Sequence, residues 1–366
     1  MTNTLDSVSM SESKPRSSVK DLLREKNDII RRQNCEIAEL KKQLDKLRKD
    51  LQKQNAIATK IKVRHPLNLN TTSVLSYGLQ IVGFEIGRQD VAEELLMKRF
   101  RSHFGIGPKA IIAILKDMTD IDLEKLLMTL CWFKLYETEH VMAGRWGHCE
   151  EFCRRTVKDI ALKVQQLKSK KIKFGPFDSS QRYVGTIDCV HCETFEFRTE
   201  PHSKWYSHKH NGAGLTYEVV IDLVYDRVLW VYGPEPASTH DITMFRGGAQ
   251  IDSSLRNNKE NWDRSALYFR IPQGKKLIGD SGYKGEPTKI STTVAEHSRD
   301  VKEFFARAKS RQETFNTRLK FFNVLSGCFR HGKGAKQKLE LHKTCFEAIC
   351  ILVQYDLENG HPLMEI

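Results

Sequence analysis

Apolar residues recur every seven positions at Leu23, Ile30, Ile37, Leu44 and Leu51, with Leu40 and Leu47 filling the d positions between the later ones. That spacing predicts a coiled coil over residues 20–60 and, if the seam pairs between chains, a homo-oligomer. Lys26 and Gln33 hold the earlier d positions, so a solvated helix folded back on its own protein is the alternative. Residues 1–19 are polar and Ser-rich without apolar periodicity and read as a disordered tail. Residues 61–90, with Pro66 and the run Asn68, Asn70, Thr71, Thr72, read as a linker. A helical, DNA-binding region is expected over 91–175. Within it Ala143, Gly147, Cys153, Val157 and Ile160 fall where a helix-turn-helix places a small residue, a turn glycine and an apolar face. Arg154, Arg155 and Lys158 would then face outward toward DNA phosphates. An ordinary helical hairpin satisfies the same pattern.

Past Gly175-Pro176 the pattern changes to strands. Tyr183–Ile187, Tyr217–Val224 and Val228–Tyr232 are rich in β-branched and aromatic residues, and Tyr225-Asp226-Arg227 predicts the turn between the last two. A short strand at Lys276–Ile278, a helix from about Val301 to Phe322 and a last helix over Leu341–Leu357, closed by Asn359-Gly360, complete the series. Strands followed by helices imply a mixed α/β domain over 176–366 with helices packed on a sheet. No apolar run reaches the length of a membrane helix, the first residues lack the apolar core of a secretory signal, and nine cysteines show no framework spacing. We therefore expect no membrane association and a reducing compartment, the cytosol or nucleus.

Charge narrows the partner. The net charge is +13, and between Lys302 and Lys343 eleven Lys and Arg stand against three acids. This strip includes Arg318, Lys320, Arg330 and Lys333, with the basic loop Arg330-His331-Gly332-Lys333-Gly334. More than half of the surplus charge in one stretch points to double-stranded DNA.

Asp188 ends the strand Tyr183–Ile187 and Asp280 follows the strand Lys276–Ile278, positions from which carboxylates project at one edge of a sheet. Glu313 lies on the next helix, which could return over that sheet. Three converging carboxylates repel one another and are stable chiefly around a divalent cation, Mg²⁺ or Mn²⁺. Two such ions can activate a water or a 3′-hydroxyl for in-line phosphodiester displacement. Asp241, after Ser238-Thr239-His240, is the rival second acid, read in preference as a helix cap or an orienting residue. Asp222, within Val219–Asp222, reads as a paired structural acid.

The segments Gly185-Thr186-Ile187-Asp188, Ser238-Thr239-His240-Asp241, Leu277-Ile278-Gly279-Asp280-Ser281-Gly282-Tyr283 and Glu313-Thr314-Phe315-Asn316 resemble DDE transposases of the PIF/Harbinger type and their bacterial insertion-sequence relatives over about residues 183–360. The resemblance implies a ribonuclease H-like catalytic domain, two Mg²⁺ (or Mn²⁺) ions, cutting and joining of transposon ends, and Asp188, Asp280 and Glu313 as catalytic and metal-binding residues. It departs from the pattern at Cys189, where Gly is common, and at Ala306 and Lys309, where many bacterial relatives carry Tyr and Arg. The eukaryotic-type resemblance, with the run Lys168–Lys173, implies the nucleus, or the cytoplasm in a prokaryotic host.

Other constellations carry blander readings. Cys189-Val190-His191-Cys192 lacks a second pair at zinc spacing. His202, His208 and His210 flank an Asn211-Gly212 turn, as in a polar hairpin, and Trp205, Tyr206, Trp230 and Tyr232 are expected mostly in the core. Two further functions compete with the enzyme: a domesticated, non-catalytic DNA-binding protein that keeps the fold, and a coiled-coil interaction protein on an α/β scaffold.

Overall fold

The computed structural model describes residues 19–60, 69–84, 91–196 and 201–366. Residues 1–18 of the predicted tail (1–19) and parts of the predicted linker, 61–68 and 85–90, lie outside the described residues, and Val19 begins a helix. The chain divides into two units, Met1–Pro66 and Leu67–Ile366.

The first unit contains α1 (Val19–Lys60), a 42-residue helix. The heptad residues Leu23, Ile30, Ile37, Leu40, Leu44 and Leu47 are all exposed on it, between 48% and 67%.

The second unit opens on helices α2 (Thr71–Ile81), α3 (Glu93–Phe104), α4 (Pro108–Asp117), α5 (Leu123–Leu135), α6 (Glu139–Trp146) and α7 (Glu150–Gln166). Helix α2 corrects the linker reading. The Asn70-Thr71-Thr72 run is the start of a helix, where the Asn70 side chain accepts from the Ser73 amide at 2.8 Å and the Ser73 hydroxyl accepts in return from the Asn70 amide. Val74, Leu75 and Leu79 then bury the face that makes α2 part of the core. Helix α6 ends at Gly147 in a left-handed conformation, φ +66°, and α7 buries the predicted face Cys153, Val157 and Ile160.

The sheet is mixed. Strands β1 (Tyr183–Glu193), β2 (Tyr206–Ser207), β3 (Gly212–Asp222), β4 (Val228–Pro236), β5 (Lys276–Ile278) and β6 (Ile290–Ser291) assemble with β3 and β5 on either side of β1. β1 runs antiparallel to β3 and parallel to β5; β6 extends the parallel side, and β4 and the short β2 pair antiparallel with β3. The central place of β3 explains why its sequence is apolar almost throughout: it is buried on both faces. Helices α8 (Asp241–Phe245), α9 (Arg299–Lys320), α10 (Asn323–Ser326) and α11 (Gly334–Glu358) flank it. A mixed sheet with flanking helices in this order is compatible with a ribonuclease H-like fold.

The helical segment and the sheet share one core. Phe100, Phe104, Leu127, Phe133 and Val164 from the helices join Tyr217, Val219 and Ile221 of β3, and α11 supplies the unbroken buried run Cys345–Leu357 between them. A helix apolar on all sides is one enclosed on all sides. α11 packs against α4, α7, α9 and β4. Tyr217 stacks on Phe346 at 3.7 Å between centroids and its hydroxyl lies 2.7 Å from Nδ1 of His342. Burial depresses His342 to about 3, so the imidazole that shares this hydrogen bond with Tyr217 is neutral. The opposite sheet face packs Ile187, Val220 and Leu229 against Phe245, Trp262, Tyr268 and Tyr283.

Candidate active site

β1 positions the first acid. Strand alternation sends Thr186 and Asp188 to the side that α9 covers, while Ile187 and Cys189 face the layer containing Phe245 and Tyr283. Asp188 Oδ1 accepts from the Cys189 amide at 2.8 Å and Oδ2 from Asn316 Nδ2 at 2.7 Å. Asn316 Oδ1 in turn accepts from Gln312 Nε2 at 3.2 Å, and Gln312 Oε1 accepts from the Thr186 hydroxyl at 2.8 Å. Two side chains one turn apart on α9 thus lock that helix to β1 and orient Asp188.

The second and third acids close from the other direction. Asp280 follows β5 and its side chain accepts from the Gly282 amide at 2.8 Å, so it caps the short turn Ser281–Tyr283. Asp241 stands at the first turn of α8, and the capping role expected for it is not present: the position before the helix is His240, without a side-chain cap bond. Asp241 instead turns toward Asp280. A Cβ placed on Gly282 would sit 2.6 Å from Asp241 Oδ2 and 3.0 Å from Asp280 Oδ1, so only glycine lets both carboxylates approach this point.

The electrostatics follow from that crowding. Burial first, then the Asp280 and Asp241 charges, raise Asp188 from 3.8 to about 6, against the lowering effect of the Cys189 amide. Burial and the Asp280 charge raise Asp241 as well. A hard divalent cation held by these oxygens would relieve the repulsion, so the donor set fits one. Among the described residues no three His, Cys, Asp or Glu side chains stand at ligating geometry.

Glu313 is exposed, one residue past Gln312 and three before Asn316. At about 100° per residue it lies about 60° around α9 from Asn316, at the rim of the acid cluster rather than within it. Asp188 lies within reach of the Asp280 charge, and Gln312 and Asn316, not expected from the sequence as site residues, join it. Their signal was a pair of amides four apart on the sheet-facing side of an otherwise charged helix.

Cys189 places its Sγ 3.2 Å from the Tyr283 hydroxyl and 3.9 Å from Met244 Sδ. It fills the layer behind the acids. Cys192 lies on the opposite face of β1, buried in the other core, so strand alternation keeps Cys189 and Cys192 from chelating one ion. Asp222 is the paired structural acid expected, 2.7 Å from Arg227. His191 and His210 stack at 4.1 Å beside the predicted hairpin. Trp205 is buried, and Trp230 donates to Glu218 at 2.9 Å.

The cations proposed for DNA divide into two groups. Lys158, Lys320 and Lys333 are exposed. Arg154 is held by Glu139 and Arg155 lies 3.7 Å from Glu151. Arg318 donates to the carbonyls of His361 and Pro362, and Arg330 sits over the Tyr136 ring, donating to that residue's carbonyl, so both serve internal contacts. In the lysine run, Lys168 pairs with Glu347, Lys170 with Asp117 and Lys171 with Glu358.

Comparison with known proteins bears on this arrangement. No curated protein matches the chain. A solved structure, "Crystal structure of a pre-cleavage Mos1 transpososome", aligns at 9% identity over 79% of this chain and 98% of that one, with a TM-score of 0.16, too low to carry an argument. Residues 187–354, which hold Asp188, Asp241, Asp280 and Glu313, match the model of the family described as "DDE superfamily endonuclease".

Proposed function

We propose that the protein is a transposase-like DNA endonuclease and strand transferase. The observation that carries this reading is the convergence of Asp188, Asp241 and Asp280, from β1, α8 and the end of β5, with Asp188 and Asp241 raised. Asp188 and Asp280 would hold divalent metal, Mg²⁺ or Mn²⁺, with Glu313 completing the set from the rim when DNA is bound and Asp241 steering Asp280. The metal, when bound, supplies activation of the attacking oxygen and stabilisation of the leaving one. The chain's own residues do the rest. Asn316 and Gln312 fix Asp188; Cys189, Met244 and Tyr283 form a dry wall behind the acids; Lys158, Lys320 and Lys333 draw in the phosphate backbone. The heptad face of α1 would pair with another copy, giving two catalytic units for two DNA ends. On the same reading the protein works in the nucleus.

The test is nicking of a supercoiled plasmid, and of a labelled duplex carrying the flanking termini, with Mn²⁺ or Mg²⁺. Wild type should cut, while Asp188→Asn and Asp280→Asn should lose at least about 100-fold in rate yet retain DNA affinity. Metal-independent cutting, or cutting unchanged in Asp280→Asn, would overturn it. Salt-sensitive binding with no cleavage of either substrate would favour the domesticated DNA-binding protein.

A further inference from the structure

α1 presents a row of large apolar side chains that its own unit does not cover: Leu23, Ile30, Ile37, Leu40, Leu44 and Leu47, each about half exposed or more. We infer that the occupant of this face is α1 of a second copy, in a parallel, in-register, two-stranded coiled coil. The inference deepens the proposed pairing of two copies and rests on it.

Three features select this geometry over its alternatives. The first is side-chain shape. With Leu23 at a, the a positions continue as Ile30, Ile37 and Leu44, and the later d positions are Leu40 and Leu47. β-branched residues at a with Leu at d pack best in a parallel pair, whereas Ile at both positions or Leu at a with Ile at d shifts toward three or four strands. The second is charge across the flanks. In a parallel pair each g position faces the e position of the following heptad on the partner, which sets Glu36 against Lys41 twice by symmetry and the neutral Gln43 against Arg48. An antiparallel pair faces e with e and g with g. It would bring Lys41 and Arg48 toward their like, and Glu36 toward acids. The third is the polar d position Gln33. In register, the two Gln33 amides meet and can bond to each other; out of register, each is buried against an apolar layer without a partner. Lys26, one heptad earlier, sets a like-charge layer near the start, so the tight seam begins at Ile30.

The pairing puts the C-terminal ends of both α1 helices at the same end of the rod, and both 67–366 units leave from that end.

The test uses the full chain. Sedimentation equilibrium should give twice the 42.3 kDa chain mass. Leu47→Cys, oxidised, should form a disulfide-linked dimer that wild type, whose nearest native thiol Cys35 lies at an outward f position, does not. Glu36→Lys should weaken dimerisation several-fold, and adding Lys41→Glu should restore it. Gln33→Leu should tighten association while broadening it to higher species. A dimer in which the Leu47→Cys variant does not cross-link, or a trimer, overturns this inference and leaves the self-association reading standing. A monomer at tens of micromolar overturns both.

Discussion

Replacing Asp188 with Asn removes a charge from the most crowded point of the acid cluster while keeping the side chain's size. Burial and the neighbouring Asp280 and Asp241 charges hold this carboxyl at about 6 instead of 3.8. One unit corresponds to about 1.4 kcal/mol, so ionising Asp188 in the folded protein costs about 3 kcal/mol relative to ionising it in the unfolded chain. Because the folded value is raised, the stability is fully present below pH 3.8 and is lost as pH rises through about 6. Asn has no such proton to lose. Urea unfolding followed by tryptophan fluorescence, in chelator and from about pH 4 to 7.5, should therefore show the two proteins nearly equal at the acid end. The variant should gain with pH until it exceeds wild type by up to about 3 kcal/mol at the alkaline end, less whatever its altered bonds to Asn316 and Cys189 cost. Taking the difference between the proteins removes titrations common to both, such as that of Glu218. Millimolar Mg²⁺ should raise wild type and leave the variant nearly unmoved. Parallel profiles across this range, or a wild type that gains on the variant as pH rises, would refute the account of the cluster as crowded, uncompensated charge.

Glu218, fully buried beside Cys189 in the sheet and raised from 4.5 to about 8, is neutral at pH 7 in the folded chain; the stability this gives is fully present below pH 4.5 and is lost as pH rises through 8, so Glu218→Gln should melt like wild type at about pH 4.5 and increasingly above it from there to about pH 8 in thermal scans. Tyr217→Phe leaves Nδ1 of His342 without its hydrogen-bond partner in the core and should cost about 1 to 3 kcal/mol by chemical denaturation. Asn316→Ala should slow metal-dependent cleavage more than it weakens DNA binding, since it frees Asp188 without touching the basic surface; equal losses in both would argue against an orienting role. Lys320→Ala and Lys333→Ala should each reduce the slope of log binding constant against log salt by about 1, measured by anisotropy on a labelled duplex.

Local chemistry was legible wherever it decided the structure. The β-branched runs pointed to β3 and β4 and the turn between them, Asp280 was placed correctly at the end of β5, and the helix carrying Glu313 was found to within two residues at each end. What escaped was set by neighbours distant in sequence. β6 is two residues long and exists because β5 offers it an edge. Asp241 looks like a cap when read beside Ser238-Thr239-His240, and only the approach of the Asp280–Gly282 turn, far along the chain, gives it another role. The start of α2 was hidden because the residues that begin a capped helix are also those that mark a linker. The common core of helices and sheet was invisible for a similar reason: α11 shows its apolar circumference in sequence, but not which elements surround it.

The enclosure of α11 determines where this chain tolerates being cut. A premature stop or protease nick ahead of Cys345 would expose apolar surface on α4, α7 and β4 at once, so neither the helical half nor the sheet half should survive alone as a well-behaved product. Dissection for crystallography should begin near Leu67 and retain residues through Met364, since the backbone carbonyls at His361, Pro362 and Met364 are gripped by Arg318 and Arg311. A break ahead of His361 would release the grip of those two arginines.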